Sequence, residues 1–441
     1  MKKFHITTFG CQMNKHDSER MAGLLAERGY TQSDTANDAE IIVFNTCTVR
    51  KHAEERFFGN LNNLRSVKKA NPNLIIAVGG CVAQAERDRI FERAPHVDIV
   101  FGTHNMPNLG YMIESVESGR KAICDVTDEI EIMPTTVPSV REESHHAWVP
   151  IIIGCNNFCS YCIVPHTRGR ETSRRIEDIA GEVEHLVPEG VIEITLLGQN
   201  VNSYGRDIYG KSEFARLLTT LNKVPGLRQI RFTTSHPKDL TDDIIAAVAG
   251  GDKICEHIHL PVQAGSNSIL KAMNRKYTKE GYLKTVEKIY KSVPGVSLTT
   301  DIMVGFPGET EDDFLHTLDV VERARYDSAF TFIFSPREGT PAARMENPVP
   351  AQVKSERFDR LVALQNRISL EKNQELIGKN IEVFVEGVSK KNDDVLTGRS
   401  RTNKVINFAG PKELVHAEAV IHVKEAYTWY VSGELIEVLK E

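Results

Sequence analysis

Apolar and polar positions change their period along the chain, and the changes divide it into segments. Over residues 1–125, short apolar runs alternate with stretches whose apolar positions recur every three to four residues, the pattern of strands followed by amphipathic helices. FHITTFG, EIIVFNT and NLIIAVGG predict strands; NKHDSERMAGLLAERG, VRKHAEERFFGNLNNL and VAQAERDRIFERA predict the helices after them. Strand then helix, repeated, predicts an α/β domain with a parallel sheet. Residues 126–147 are polar, contain proline and keep no period, so a linker is expected there. A second α/β pattern fills residues 148–372. Its six strand candidates are WVPIIIG, VIEITLLG, LRQIRFTT, HIHLPV, VSLTTDIMVG and AFTFIFS. Helical patterns such as SEFARLLTTLNKV and GYLKTVEKIYKSV lie between them, which predicts a partial (β/α)6 barrel. In such a barrel the functional groups collect at the carboxyl ends of the strands. Over residues 373–441 the period falls to two. NIEVFVEGVS, DVLTGRS, VINFAG, AEAVIHVKEA and YVSGELIEV are separated by turn residues, predicting a small antiparallel β-barrel.

Composition changes this picture little. With 441 residues, 41% hydrophobic and 26% charged, each segment has the means to bury a core. The net charge of -6 carries no overall nucleic-acid signature, so RNA contact would rest on local patches. MKKFHITTFG lacks the apolar core of a secretory leader, and no run reaches the roughly 18 apolar residues of a membrane span. The expected location is the cytoplasm, with no membrane partner. Eight cysteines there point to ligands or catalysis rather than disulfides.

Six of the eight cysteines are placed in a pattern. GCNNFCSYC brings Cys155, Cys159 and Cys162 directly after a strand candidate, in C-x3-C-x2-C spacing. Zinc would need a fourth ligand, which His166 offers four residues on. An iron–sulfur cluster held by three cysteines instead leaves one iron open for a substrate or cofactor. Upstream, Cys11, Cys47 and Cys81 are 36 and 34 residues apart, about one strand–helix unit each. Each follows a strand and precedes a helix, so a parallel sheet brings all three to one edge. Helix N-termini there favour thiolate. The plain alternative is three buried cysteines acting as small hydrophobes. Cys124 and Cys255 lack such a context and are expected as core thiols.

The spacing of the second triplet resembles the radical S-adenosylmethionine (SAM) superfamily, with Tyr161 at its aromatic position. FGCQMNKHDSERM, VFNTCTVR, GGCVAQAE and GCNNFCSYCIVPHTRGRETSR together resemble the methylthiotransferase family over nearly the whole chain. GCQMN resembles its MiaB-type tRNA subgroup; GCKVN is typical of the enzymes acting on threonylcarbamoyl-adenosine and GCPKN of those acting on a ribosomal protein. The resemblance implies two [4Fe-4S] clusters, an auxiliary one on Cys11, Cys47 and Cys81 and a radical SAM cluster on Cys155, Cys159 and Cys162. It implies a TRAM-like RNA-binding barrel over 373–441. The implied reaction installs a methylthio group at C2 of N6-isopentenyladenosine beside the tRNA anticodon. One SAM is methyl donor, a second is the source of a 5′-deoxyadenosyl radical, and sulfur comes from the N-terminal cluster. Implied partners are the tRNA anticodon stem-loop, an electron donor of flavodoxin or ferredoxin type, and a sulfur-supply protein. Two alternatives remain open. One is a sister enzyme acting on threonylcarbamoyl-adenosine or ribosomal protein; the other is a non-catalytic, zinc-stabilised RNA-binding protein.

Polar tips at the predicted strand ends are the expected SAM contacts: Gly198, Gln199, Ser235, His259, Gln263, Gly305 and Glu309, beside Tyr161. Turn chemistry and helix capping explain the same residues without a ligand. For RNA, TRGRETSRR supplies Arg168, Arg170, Arg174 and Arg175, and LTGRSRTNKVINF supplies Arg399, Arg401, Asn403 and Lys404. Ion pairing, for instance with Glu171, is the alternative for the first patch. Residues 374–441 hold 9 basic against 11 acidic residues, so only one face of the last barrel would meet RNA.

Overall fold

The computed structural model describes residues 2–48, 51–128, 139–389 and 392–440. Most of the expected linker, residues 129–138, lies outside the described residues. The chain forms two compact units. The first comprises Met1–Phe158, Cys162–Gln199 and Tyr204–Lys211; the second comprises Cys159–Tyr161, Asn200–Ser203 and Ser212–Glu441.

The first unit is organised by a six-stranded sheet of β1 (Lys3–Thr8), β2 (Thr31–Gln32), β3 (Ile41–Thr46), β4 (Ile75–Gly80), β5 (Ile99–Phe101) and β6 (Ile123–Asp125), in the order β2-β1-β3-β4-β5-β6. Every pairing is parallel. The uninterrupted apolar runs of β3 and β4 follow from burial on both faces. Ile42, Phe44, Ile76 and Val78 pack on one side with Phe57 and Leu61, while Ile41, Val43, Ile75 and Ala77 pack on the other with Met21 and Leu25. These partners belong to α1 (Gln12–Glu27) and α2 (Lys51–Ala70). A third helix, α3 (Cys81–Glu86), starts directly at the end of β4. This unit also holds β7 (His146–Pro150), a short antiparallel pair of β8 (Ile152–Ile153) with β9 (Thr172–Ser173), and β10 (Glu193–Leu197), which pairs parallel with β7. His146 and Ala147, expected at the end of the linker, already belong to β7.

The second unit carries the other four barrel-type strands: β11 (Gln229–Phe232), β12 (His257–His259), β13 (Ser297–Val304) and β14 (Ser328–Ile333). β12, β13 and β14 pair in parallel order. On β13, Leu298, Thr300, Ile302 and Val304 are fully buried, while Asp301 and Met303 on the opposite face keep part of their surface open, the period-two signature of a sheet with one polar face. The last five strands close a barrel: β15 (Asn380–Ser389), β16 (Asn392–Ser400), β17 (Val405–Ala409), β18 (Glu418–Ala426) and β19 (Val431–Lys440). All its pairings are antiparallel except β17 with β19, which runs parallel. Its core is built from inward residues such as Val385, Leu396, Ile406, Phe408, Ile421 and Val431.

No helix among the described residues is long and apolar enough to cross a membrane.

Candidate functional site

In the first unit the carboxyl ends of β1, β3 and β4 deliver Cys11, Cys47 and Cys81 to one edge of the sheet. Cys11 is the N-cap of α1, and Cys81 is the first residue of α3. Gly10, at φ +122°, turns the chain so tightly that a Cβ on it would lie 2.6 Å from Cys47 Cβ and 3.0 Å from Cys47 Sγ. The loops of Cys11 and Cys47 therefore face the same small space. Gly80, at φ +88°, makes the same kind of turn before Cys81; a Cβ there would meet Asn45 Oδ1 and the Thr46 carbonyl at 2.6 Å. Only glycine adopts both conformations at little cost.

Buried amides stitch the three loops together. Asn14 Nδ2 donates to Asn45 Oδ1 and to the Thr46 carbonyl, each at 2.9 Å, and Asn45 Nδ2 donates to the Asn14 carbonyl at 2.8 Å and to Ser18 Oγ at 2.9 Å. Cys11 Sγ donates to Asn14 Oδ1 at 3.3 Å. Thr46 Oγ1 donates to the Gly79 carbonyl at 2.6 Å and accepts from Val82 N at 3.1 Å, tying β3 to the start of α3. Asn14 and Asn45 stand at fixed offsets from Cys11 and Cys47, a signal the sequence carried but that reads as ordinary polar residues until the loops meet.

Arg168 occupies this site, not the surface. It is 4% exposed, and its Nη2 donates to Asp17 Oδ2 at 2.8 Å. The same guanidinium bonds Cys81 and lies within electrostatic reach of Cys11. Burial pushes the Cys81 thiol up from its ordinary value, and Arg168 opposes that shift. Burial works against the charge on Arg168 too, but Asp17, Cys81 and Cys11 outweigh it and hold the guanidinium ionised. Asp17 is likewise disfavoured by burial yet held below the ordinary carboxylate range by Arg168. The turn carrying Arg168, Val164–Thr167, is fixed to the sheet because Thr103 Oγ1 donates to the Thr167 carbonyl at 2.8 Å.

The GCNNFCSYC loop begins in the same unit. Gly154, at φ +78°, presses so closely on Arg170 that a Cβ would lie 2.1 Å from its carbonyl oxygen, and Cys155 N donates to the Gly169 carbonyl at 3.1 Å. Asn157 Nδ2 lies 3.5 Å from Cys155 Sγ as a donor. Phe158 takes φ +47°, strained for a bulky residue, and the Arg170 guanidinium stacks on its ring at 4.3 Å. Glu171 Oε1 accepts from Asn156 N at 3.2 Å. Arg174 is buried: its Nη1 donates to the Pro150 carbonyl at 2.9 Å and it pairs with Glu182 at 2.6 Å. Enclosure thus removes Arg168 and Arg174 from the expected phosphate surface, whereas Arg170 and Arg175 are exposed. Gly198 is buried at the end of β10, with Gln199 half-buried beside it.

In the second unit Cys159 Sγ accepts from Arg275 Nη1 at 3.3 Å. Arg275 is itself anchored, with Nη2 on the Pro261 carbonyl at 2.9 Å and Nε on Tyr277 Oη at 2.8 Å. Burial opposes its charge, but Tyr277, Tyr161 and Cys159 keep it raised. Tyr161 packs on the cluster of Ala264, Met273 and Phe306. Arg275 has no sequence pattern around it and was not foreseen; its place comes from the helix Asn267–Ala272 and the turn after it.

The remaining expected SAM contacts divide. His259 Nδ1 meets Thr299 Oγ1 at 3.0 Å, and its Nε2 lies 3.5 Å from Asp301, on the polar face of β12 and β13. Gln263 takes φ +66° and bridges to β13, donating from its backbone N to the Asp301 carbonyl at 2.8 Å. Ser235 is fully buried, its Oγ on Asn202 Oδ1 at 3.1 Å. Gly305, at φ +73°, donates its N–H to Glu309 Oε1 at 3.0 Å. Glu309 is enclosed against Arg357 Nη1 at 2.8 Å, so it braces the Gly305 turn and is not open to a ligand.

The basic turn of the last barrel is also spoken for. Arg401 pairs with Glu256 and donates to the Ile254 carbonyl at 2.8 Å; Lys404 reaches Asp327 and Asn373 Oδ1, each at 2.8 Å. Arg399 pairs with Glu386 and donates to Asn403 Oδ1 at 3.1 Å. Arg401 and Lys404 thereby fasten the turn to strand ends and helix of the same unit. The exposed group that sequence reading overlooked is aromatic: Trp429 is 64% exposed beside the stacked rings of Tyr427 and Tyr430.

The Cys11, Cys47 and Cys81 donor set fits an iron–sulfur cluster: three thiols brought to one sheet edge by glycine-shaped turns, with a buried arginine on one sulfur. The C-x3-C-x2-C loop has its own glycine turn before Cys155, and Cys159 has its own arginine. No described cysteine is in a disulfide. Among the described residues no three His, Cys, Asp or Glu side chains form a ready-made single-ion site. A multi-iron cluster does not require one, since each cysteine takes a different iron.

Three regions match known families: residues 3–102 the uncharacterized protein family UPF0004, residues 149–321 the radical SAM superfamily, and residues 374–436 the TRAM domain. Proteins named tRNA-2-methylthio-N(6)-dimethylallyladenosine synthase are similar over nearly the full chain. That of Thermoanaerobacter pseudethanolicus is 51% identical over 439 residues, covering 99% of this chain and 93% of the relative. That of Carboxydothermus hydrogenoformans is 51% identical, covering 99% of both. That of Clostridium perfringens is 49% identical, covering 99% and 98%. Among solved structures, the radical SAM methyltransferase TsrM from Kitasatospora setae shares the fold with TM-score 0.55 and 12% identity, over 78% of this chain and 74% of that one. The cobalamin-dependent SAM radical enzyme OxsB shares it with TM-score 0.54 and 14% identity, over 84% and 56%. Identity of about half across almost every residue places this chain among the tRNA-2-methylthio-N(6)-dimethylallyladenosine synthases, a family of radical SAM enzymes, and it belongs to that family.

Proposed function

We propose that this enzyme installs a methylthio group at C2 of N6-isopentenyladenosine beside the anticodon of tRNA, in the cytoplasm, using two [4Fe-4S] clusters. The observation that carries the reading is the N-terminal triplet: Cys11, Cys47 and Cys81 at one sheet edge, in addition to the C-x3-C-x2-C loop. Cys155, Cys159 and Cys162 would hold a cluster that, given one electron from a reductant, would supply a 5′-deoxyadenosyl radical from SAM, and Cys11, Cys47 and Cys81 would hold the one that would supply the sulfur for the methylthio group. No side-chain base removes hydrogen from an adenine C2–H, which is why the protein's own residues hold, orient and enclose instead of acting as acid or base.

Chain connectivity supports a joint reaction. Arg168 touches Cys81 and follows Cys162 by six residues, so the Cα atoms of Arg168 and Cys162 are separated by about 22 Å at most. Gly198, Gln199, His259, Gln263 and the Gly305 turn remain the proposed SAM surface. Exposed Arg170 and Arg175 are the proposed phosphate contacts, with Trp429 as a stacking surface for an unpaired base. An electron donor of flavodoxin or ferredoxin type and a sulfur-supply protein complete the proposed partners.

The deciding experiment incubates the anaerobically reconstituted enzyme with SAM, a reductant and isopentenylated tRNA, then analyses nucleosides by mass spectrometry. A methylthio product is expected. No product on this tRNA, with product on threonylcarbamoyl-adenosine tRNA or ribosomal protein, moves the assignment to a sister enzyme. Cys159→Ala is expected to abolish SAM cleavage; Cys47→Ala is expected to keep cleavage but stop methylthio formation.

A further inference from the structure

A guanidinium buried among thiols is costly unless something there needs its charge. Arg168 is 4% exposed, its Nη2 is held by Asp17 at 2.8 Å, and a further N–H is on Cys81. Asp17 alone would neutralise it. The contact to sulfur is what an ion pair serving only the fold would not require. As cluster ligands, Cys11, Cys47 and Cys81 would be thiolates and form a buried anionic centre, and such a centre is stable only with a compensating cation. The planar fork of arginine serves two acceptors at once, which the point charge of lysine does not. The anchor is rigid at both ends. Asp17 lies on α1, six residues after Cys11, while the Val164–Thr167 turn is bonded to Thr103.

The geometry points to Arg168 as the positioning residue that holds an anionic sulfur ligand at the Cys11–Cys47–Cys81 site, with Asp17 aiming its guanidinium at the sulfur atoms. This rests on the reading that the triplet carries a cluster with an open position. The ligand class is hydrosulfide or a small thiolate. A charge-assisted hydrogen bond of this kind changes affinity by about tenfold or more.

The test uses the full chain with Cys155, Cys159 and Cys162 replaced by alanine, so that only the N-terminal site binds iron. Iron content, the midpoint potential by redox titration under electron paramagnetic resonance, and the affinity for added sodium sulfide are measured in this parent and in Arg168→Met and Arg168→Lys. Arg168→Met is expected to keep about four iron, to shift the potential negative because a cation beside the reduced cluster is gone, and to bind hydrosulfide about tenfold more weakly. Arg168→Lys is expected to recover part of both. Unchanged potential and hydrosulfide affinity in Arg168→Met, with iron intact, overturn the inference and leave the two-cluster reading standing. A parent without iron overturns both. If Arg168→Met loses the iron itself, its return in Arg168→Lys supports the inference. Loss in both variants overturns it, because an arginine needed only to anchor Asp17 has no part in holding sulfur.

Discussion

Gly10→Ala isolates the geometry on which the N-terminal site depends. Gly10 sits at φ +122°, outside the region that residues with a side chain adopt, and holding alanine there costs about 1–3 kcal/mol. The new methyl would also lie 2.6 Å from Cys47 Cβ, 2.9 Å from Asn14 Oδ1 and 3.0 Å from Cys47 Sγ. Carbon atoms in contact prefer about 3.5–4.0 Å, so the overlap with Cys47 is on the order of 1 Å. Asn14 cannot yield easily, because Asn45 and the Thr46 carbonyl hold it from the other side. Relief must come from moving Cys47 away from Cys11, which separates two of the proposed cluster ligands. Gly29→Ala is the control: its φ is +80°, but a Cβ there meets nothing within 4 Å, so only conformational strain of about 1–2 kcal/mol applies. After anaerobic reconstitution, Gly29→Ala is expected to bind about eight iron per chain and Gly10→Ala about four, with reductive SAM cleavage preserved in both. Full iron in Gly10→Ala, with stability equal to that of Gly29→Ala, would refute the claim that the Gly10 turn sets the approach of Cys11 to Cys47.

Three other outcomes follow from buried or exposed groups. Arg357→Met leaves Glu309 buried without its cation and is expected to cost about 3–5 kcal/mol, whereas Glu309→Leu combined with Arg357→Met costs much less; equal losses in thermal unfolding would contradict a structural role for the pair. Burial raises Glu19 to about 7, so the folded state holds a proton there that the unfolded state has lost above its ordinary value of 4.5. The stability tied to this group is therefore present below pH 4.5 and is lost as pH rises to about 7; Glu19→Gln is expected to gain up to about 3 kcal/mol at pH 8 and little at pH 4.5, and a gain independent of pH in melting experiments would count against it. Trp429→Ala is expected to weaken tRNA binding about tenfold through a lost stacking contact of about 1–3 kcal/mol, with barrel stability unchanged; undiminished binding in a filter assay excludes Trp429 from the RNA surface.

Much of the cysteine placement was legible along the chain because it is local or periodic. C-x3-C-x2-C is a loop of eight residues, and the strand–Cys–helix repeat needs only the rule that parallel strands share an edge. The doublets Gly10-Cys11, Gly80-Cys81 and Gly154-Cys155 add a backbone reason: each glycine has a positive φ that swings the following thiol into place. The strand runs of the last barrel were legible for the same reason, since alternation alone sets which side chains face inward. Its one parallel pairing, β17 with β19, was not, because partner choice in a closed barrel depends on where the connections run.

The sequence by itself determined the elements, the six placed cysteines and the family resemblance, for these depend on neighbours a few residues apart or on a fixed repeat. Only the tertiary structure decided what each charge does. TRGRETSRR reads as one basic patch, yet Arg168 finds Asp17, 151 residues away, and Arg174 finds Glu182, while Arg170 and Arg175 stay exposed. Arg275 reaches Cys159 across 116 residues with no pattern to announce it. A charged side chain is enclosed only where distant elements bring it a partner that offsets desolvation, and that meeting is a property of the packed chain.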